Sequence, residues 1–272
     1  MTADRWTQAV RDRLGLGRLL PLGLALDGAW IAERAAAAVL RRETAAVAGV
    51  RLGALRLALA DPDRAGEPAV PAPPSALPPG PLRVTAEFAV AADPGFAGAE
   101  PLPAVAARLR LAVVSAATRL LGLDIAEVDL RVTDLLEEDT DAGRETLAGD
   151  GVRVNLRGGS ADGARDAAGE SGPASVPRDP EEVRIAAAVS AVPGVTRLTD
   201  SLGRPVHVES VPTPEPALPR RHVRVELEVS GDERAVDVAR AVRIAVTEAA
   251  RDTPSVAVLV TSVTPGTPSR HP

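Results

Sequence analysis

The apolar residues of this 272-residue chain run through the same succession of periods twice, and that repetition constrains the fold more than any single residue does. In each half an alanine-rich, helix-like segment comes first, Ile31 to Val47 and then Glu181 to Val192. Both close on a related turn, Val47-Ala48-Gly49-Val50 and Val192-Pro193-Gly194-Val195, where glycine supplies the left-handed backbone that a helix C-terminus needs. A first strand follows, with Leu55, Leu57 and Leu59 alternating against Arg56 and Ala58, and Val206 and Val208 alternating against His207. Proline-rich loops then end in ALPPGPLRV and ALPRRHVRV. The second strands alternate cleanly: Leu82, Val84, Ala86, Phe88 and Val90 against Arg83, Thr85 and Glu87, and Val223, Val225, Leu227 and Val229 against Arg224, Glu226 and Glu228. A period of two predicts one buried and one wet face. Next, Val105, Leu109, Val113 and Ala116 recur 133 positions later as Val238, Val242, Val246 and Ala249, one stripe along a helix. Arg110 falls on Arg243, and the strings LRLAVV and VRIAVT are alike. Closing strands carry Val128, Leu130 and Val132, then Val256, Val258 and Val260.

Each half therefore reads helix, strand, strand, helix, strand. A short sheet with both helices on one face buries the period-two and period-3.6 faces together. The expected fold class is α+β, with two tandem small two-layer domains. The stretch Asp139 to Pro180 is rich in Gly, Ser, Ala and acids, with Val152, Val154 and Leu156 as its apolar cluster, and it is the natural boundary. The expected organisation is an N-terminal amphipathic arm (1–26), a first domain (27–138), a disordered, protease-sensitive linker (139–180), a second domain (181–266) and a tail (267–272). Each domain is expected to fold alone. Asp61 to Pro81, containing PAPPSALPPGP, reads as loop.

Composition narrows the chemistry. Only Trp6, Trp30, Phe88 and Phe96 are aromatic, so the core must be aliphatic and alanine-rich. All 31 basic residues are Arg, Lys, Tyr and Cys are absent, and Asn155 is the single Asn. That usage follows GC-rich codons and points to an actinobacterial source. Without Cys there are no disulfides, thiolate metal sites or cysteine nucleophiles; without Lys there is no Walker-type phosphate loop and no Schiff base. A net charge of −6 argues against a nucleic-acid binder. The charges spread through Met1 to Leu26 do not fit a secretory signal, and the uncharged stretch Thr253 to Ser269 is broken by Pro254, Pro265 and Pro268, so no transmembrane segment is expected. The expected location is cytoplasmic, peripheral to the membrane.

The scheme of an Ala-rich helix closing on Val192-Pro193-Gly194-Val195, the strand Val223 to Val229, and the helix and strand from Val236 to Val263 resembles the bacterial alkaline shock protein family, also called the Gls24-like general stress family. In the first half the matching residues are Val47, Gly49, Val50, Leu82 to Val90, Leu102 to Leu120 and Val128 to Val132. Ala48 stands where that turn usually has Pro, and both hairpins carry long proline-rich insertions, so the likeness is to a degenerate tandem version. The resemblance implies a non-enzymatic cytoplasmic protein, self-associating or held beneath the membrane by a membrane-anchored partner, and linked to envelope homeostasis. It carries over no catalytic residue and implies no cofactor.

The residues offer little chemistry of their own. His207 and His222 with Glu209 could bind zinc on neighbouring strands, but their spacing fits no recognised metal motif, and solvent-facing strand residues are the expectation. Glu137, Glu138, Asp139 and Asp141 read as a solvated domain end rather than an acid–base pair. Gly158-Gly159-Ser160 lacks the strand and helix of a nucleophile elbow, and Gly15-Leu16-Gly17 fails as a dinucleotide fingerprint. Arg108, Arg110, Arg119, Arg240, Arg243 and Arg251 could form a basic helix face, but the strands lack the stacking aromatics of RNA-binding sheets. The first residues form an amphipathic pattern in which Trp6, Val10 and Leu14 recur every fourth position among Arg5, Arg11, Arg13 and Arg18. Trp6, Val10, Leu14, Arg11, Arg13 and Arg18 are the candidate membrane or partner contact, set against a helix packed on its own domain. The functional expectation is a non-catalytic stress-related scaffold acting through a protein partner or self-association; the alternative is a small-ligand binder or enzyme with its site between the halves.

Overall fold

The computed structural model describes residues 15–92, 101–137, 179–211 and 220–266. Four helices have their bounds within those residues: α1 Glu33–Thr44, α2 Leu102–Ala116, α3 Pro180–Ser190 and α4 Ala235–Ala249. Nine strands accompany them: β1 Leu19–Pro21, β2 Ala29–Ala32, β3 Val50–Leu59, β4 Leu82–Ala92, β5 Ile125–Glu137, β6 Val195–Leu198, β7 Val206–Val211, β8 Arg220–Ser230 and β9 Ser255–Thr264. The chain is an α+β protein with two sheets.

The smaller sheet is ordered β3-β4-β5, with β3 antiparallel and β5 parallel to β4. In the larger sheet β8 plays the part of β4: β6 and β7 pair with it antiparallel on one side, and β9 pairs parallel on the other. The registers correspond in detail. Phe88 faces Val132 and then Ala89 faces Asp134; Leu227 faces Val260 and then Glu228 faces Ser262, so both closing strands bulge at a threonine, Thr133 and Thr261. Leu52 faces Phe88 as Leu198 faces Leu227, and Leu55 faces Ala86 as Val206 faces Val225. What is a two-residue bulge at Gly53-Ala54 in β3 is the seven-residue excursion Thr199–Pro205 between β6 and β7. The predicted helix stripe is buried in α2 at Val105, Leu109, Val113 and Ala116, and in α4 at Val238, Val242 and Val246, with Ala249 packed against the core in part.

Two expectations are corrected. The first helix begins at Glu33, not Ile31, because Ala29-Trp30-Ile31-Ala32 is buried on every side as a strand. That strand, β2, pairs antiparallel with β1 and parallel with β9, so the chain around residue 27 completes the sheet of the other half. Second, the alternation of β8 does not leave one face wet. Glu226 and Glu228 are buried beside Val225 and Leu227: the Thr199–Pro205 excursion folds over Glu226, and Thr196 and Arg197 of β6 hold Glu228; in β4, where only the short bulge stands, Thr85 is exposed and Glu87, the counterpart of Glu226, is half-buried. Asp61 to Pro81 is a loop, as expected, with a defined path. It straps the larger sheet through Leu77 N–H to the Leu19 carbonyl (2.8 Å), Ala69 N–H to the Ala25 carbonyl (3.3 Å) and Trp30 Nε1 to the Leu77 carbonyl (3.2 Å).

One hydrophobic core runs through both halves. α1 packs on β3 and α2 and also on β9. At the junction, the π-helical turn Ala117–Leu121 ends on Gly122 at φ 86°, and a Cβ there would stand 2.2 Å from Val236 Cγ1 of α4, so glycine is demanded by both backbone and contact. Arg234 Nε closes the junction by donating to the Thr118 carbonyl at 3.1 Å.

Candidate interaction surface

The arginines of the repeated helices are spent largely on the chain itself. Arg240 grips Asp27 with two bonds of 2.9 Å, from Nε to Oδ1 and from Nη2 to Oδ2, and Arg243 Nη1 donates to the Leu26 carbonyl at 2.6 Å. Together they hold the turn before β2 against α4. The guanidinium of Arg240, foremost through its hydrogen bonds, keeps the Asp27 carboxyl below the usual carboxylate range. Arg110, the counterpart of Arg243, donates from Nε to the Val128 carbonyl at 3.3 Å. Arg18 bridges the first turn of α1 to β3, with Nε 3.4 Å from Glu33 Oε2 and Nη2 donating to the Leu57 carbonyl at 3.0 Å. Of the proposed arm contacts, Trp6, Val10, Arg11, Arg13 and Leu14 lie outside the described residues.

Among the side chains those helices leave open is one large aliphatic at the same place on each. Leu111 is 71% exposed and Ile244 60% exposed, at positions 133 residues apart and each directly after the Arg just described. The turn tied to α4 adds Leu24 and Leu26, both about as exposed. A surface groove of about 470 Å³ lies along α4, lined by Arg240, Arg243, Ile244, Thr247 and Glu248. A separate, smaller cleft of about 200 Å³ lies where α2 meets the end of α1, lined by Glu43, Ala112, Ser115, Ala116, Arg119 and Leu120 and not by Leu111. Exposed apolar groups rimmed by polar ones are the signature of a contact surface. The signal was present in LRLAVV and VRIAVT: a large aliphatic outside the buried stripe, in both copies.

The other unusual feature is a charge cluster under the excursion on β8. Glu226 is fully buried; its Oε2 accepts the Leu202 N–H at 2.9 Å, while Oε1 stands 3.5 Å from Arg224 Nε with neither atom in a hydrogen bond. Burial pushes the Glu226 carboxyl up to about 7, against the pull of the Leu202 N–H and Arg224. His222, expected to face solvent, is buried instead, with Nδ1 2.8 Å from Ser255 Oγ, and burial lowers its pKa. The reason is its place: β8 is flanked on both sides, by Glu209 of β7 and Ser255 of β9. His207 Nε2 lies 3.5 Å from Glu209 Oε2 at the rim. Among the described residues no group of three or more His, Asp or Glu is placed to hold a metal ion. At the far end of β8, Arg221 binds the buried Glu181 of α3 through bonds of 3.2 and 2.9 Å and Asp252 at 3.0 Å, which holds the Glu181 carboxyl low.

No helix among the described residues is long and apolar enough to cross a membrane. Compared with family models, with curated proteins and with solved structures, the chain matches none. Fold and surface together define the class: an α+β protein of two sheets that exposes an apolar residue at the same place on each repeated helix.

Proposed function

We propose that this chain is a non-catalytic scaffold, a degenerate tandem relative of the alkaline shock proteins, that works through protein contacts at the inner face of the cell envelope. The observation that carries the reading is the equivalent exposure of Leu111 and Ile244, each beside an arginine, on helices whose buried stripes superpose. A chain that duplicates a fold and keeps an aliphatic side chain in water at the same point of both copies is organised for binding on those faces. The matched registers and matched bulges of the two sheets support duplication. The order strand-strand-helix-strand after α1, and the same order after α3 with the counterpart of β3 divided into β6 and β7, supports the family likeness.

The test is fractionation of the organism that carries the chain, with the tagged protein pulled down and its companions identified by mass spectrometry. The expected result is sedimentation with membranes together with a membrane-anchored partner, and release of the Leu111→Glu, Ile244→Glu double variant to the soluble fraction. Wild-type chain that stays soluble and alone would overturn the proposal, and so would a double variant that sediments like wild type. A metabolite or metal co-purifying at stoichiometric level would favour the alternative of a small-ligand site between the halves.

A further inference from the structure

We propose that the outer edge of β5, around Val128–Val132, accepts an extended strand from a protein partner, added parallel to β5. The inference follows from what the second half does with the same edge. There β9, the equivalent of β5, is covered by β2, which pairs parallel with it: Ala29 faces Val258, Trp30 faces Leu259 and Ile31 faces Val260. The common bulge fixes the correspondence, so Val258, Leu259 and Val260 match Leu130, Arg131 and Val132. The first three are fully buried; of the second three, Leu130 is half-buried and Arg131 and Val132 are exposed. Among the described residues β5 pairs only with β4, and its far edge is the end of its sheet. An unpaired row of backbone donors and acceptors is a template for another strand.

The arginines show how the incoming strand is received. In the second half Arg243 takes the Leu26 carbonyl, three residues before β2, while the Val258 N–H donates to the Gly28 carbonyl at 2.9 Å. In the first half the counterpart Arg110 turns to the edge itself and donates to the Val128 carbonyl, which therefore points away from β4. A strand arriving at β5 would offer Arg110 a carbonyl in the place of Leu26 and pair with the backbone groups of Leu130 and the N–H of Val132. Side chains set the rest of the partner's chemistry. On the helix side, where Ala29 and Ile31 sit beside Val258 and Val260, small or aliphatic residues are required beside Leu130 and Val132. On the other side Arg131 replaces Leu259, so an acidic residue belongs where Trp30 stands in β2. The partner is thus an extended segment alternating aliphatic, acidic, aliphatic, without proline at the paired positions.

This inference rests on reading the chain as a contact protein, but its test does not need the host. The probe is a synthetic peptide copying residues Leu24–Glu33 with the change W30E, labelled with fluorescein and titrated with the full chain by fluorescence anisotropy. Hydrogen exchange is followed at Leu130 and Val132. The expected result is saturable binding that slows exchange at both amides. Val132→Pro removes an outward N–H and no ladder bond, and should weaken binding by at least about tenfold; Val132→Lys, which keeps the backbone intact, should weaken it as well if the proline variant fails to fold. Absence of peptide binding, or binding untouched by both variants, would overturn the proposal. So would slow exchange at Leu130 and Val132 in the free chain: at every concentration it would mean an edge already covered within the molecule, and if concentration-dependent, an edge covered by a second copy. Failure here leaves the scaffold reading to its own fractionation experiment.

Discussion

Glu226 shows how far one residue's environment departs from its place in a pattern. In sequence it is the polar member of an alternating strand; in the fold it is a carboxyl under a loop, with its pKa raised from 4.5 to about 7 by burial. A raised carboxyl pKa means that the folded state holds its proton more tightly than the unfolded chain. Its contribution is therefore complete below about pH 4.5 and is lost as the pH rises through about 7. Glu226→Gln keeps an acceptor for the Leu202 N–H and cannot ionise. Urea unfolding of both proteins from pH 4.5 to 8 should show the variant gaining on wild type across that interval by an amount on the order of 3 kcal/mol. A constant difference would mean that Glu226 does not titrate there. Comparing the two proteins removes the opposite trend that His222, with its lowered pKa, imposes on both. Gly122 is the other residue whose identity its surroundings dictate. Gly122→Ala forces a side chain onto a positive φ and into Val236, and should cost about 2–4 kcal/mol, read as a lower urea midpoint.

Among the elements, β2 departs most from expectation. Ala29 to Ala32 continue the alanine-rich run into α1, and nothing in their periodicity separates strand from helix; an apolar segment this short is ambiguous until its neighbours are known. The neighbour is β9, more than 200 residues later. The turn before β2 is set by the Asp27–Arg240 pair, which brings opposite ends of the chain together. Asp27→Asn removes the charge but not the shape, and should cost about 1–2 kcal/mol near neutral pH. Because the Asp27 carboxyl is held low, wild type loses this advantage only as the pH falls through that lowered value, so the two proteins should converge in acid. Thermal melts at pH 7 and pH 3 check both parts. By contrast, the buried stripes of α2 and α4 and the buried side of β4 were legible, because each follows from a single apolar face against the sheet.

At the scale of the molecule, the halves are alike in register yet share one core. The first half supplies β1, β2 and the proline-rich strap to the larger sheet, and α1 packs against β9. A chain of residues 178–266 alone would lack the strand that covers Val258 to Val260. It is expected to self-associate through the open edge of β9, and addition of a peptide of residues 15–32 should return it to a monomer. Sedimentation velocity reads both states; a fragment that is monomeric without the peptide would show that the larger sheet is complete without the first half.

The two periods of the apolar residues, the glycine turns at Gly49 and Gly194 and the missing aromatics were enough to specify an α+β fold and its four helices and longer strands, but not β1, β2 or β6, because those properties act between residues close together in the chain. Which strand lies beside β9, which acids β8 buries, and which arginines are spent inside the molecule are questions of long-range contact. They are settled by β1 and β2 of the first half lying beside β9, and by the Thr199–Pro205 loop lying over β8 where β3 has only a two-residue bulge. The candidate surface divides the same way. Leu111 and Ile244 stand outside their stripes in the sequence itself, whereas the open edge of β5 is visible only beside its covered counterpart, since a strand's hydrogen-bonding partners leave no mark on its own side chains.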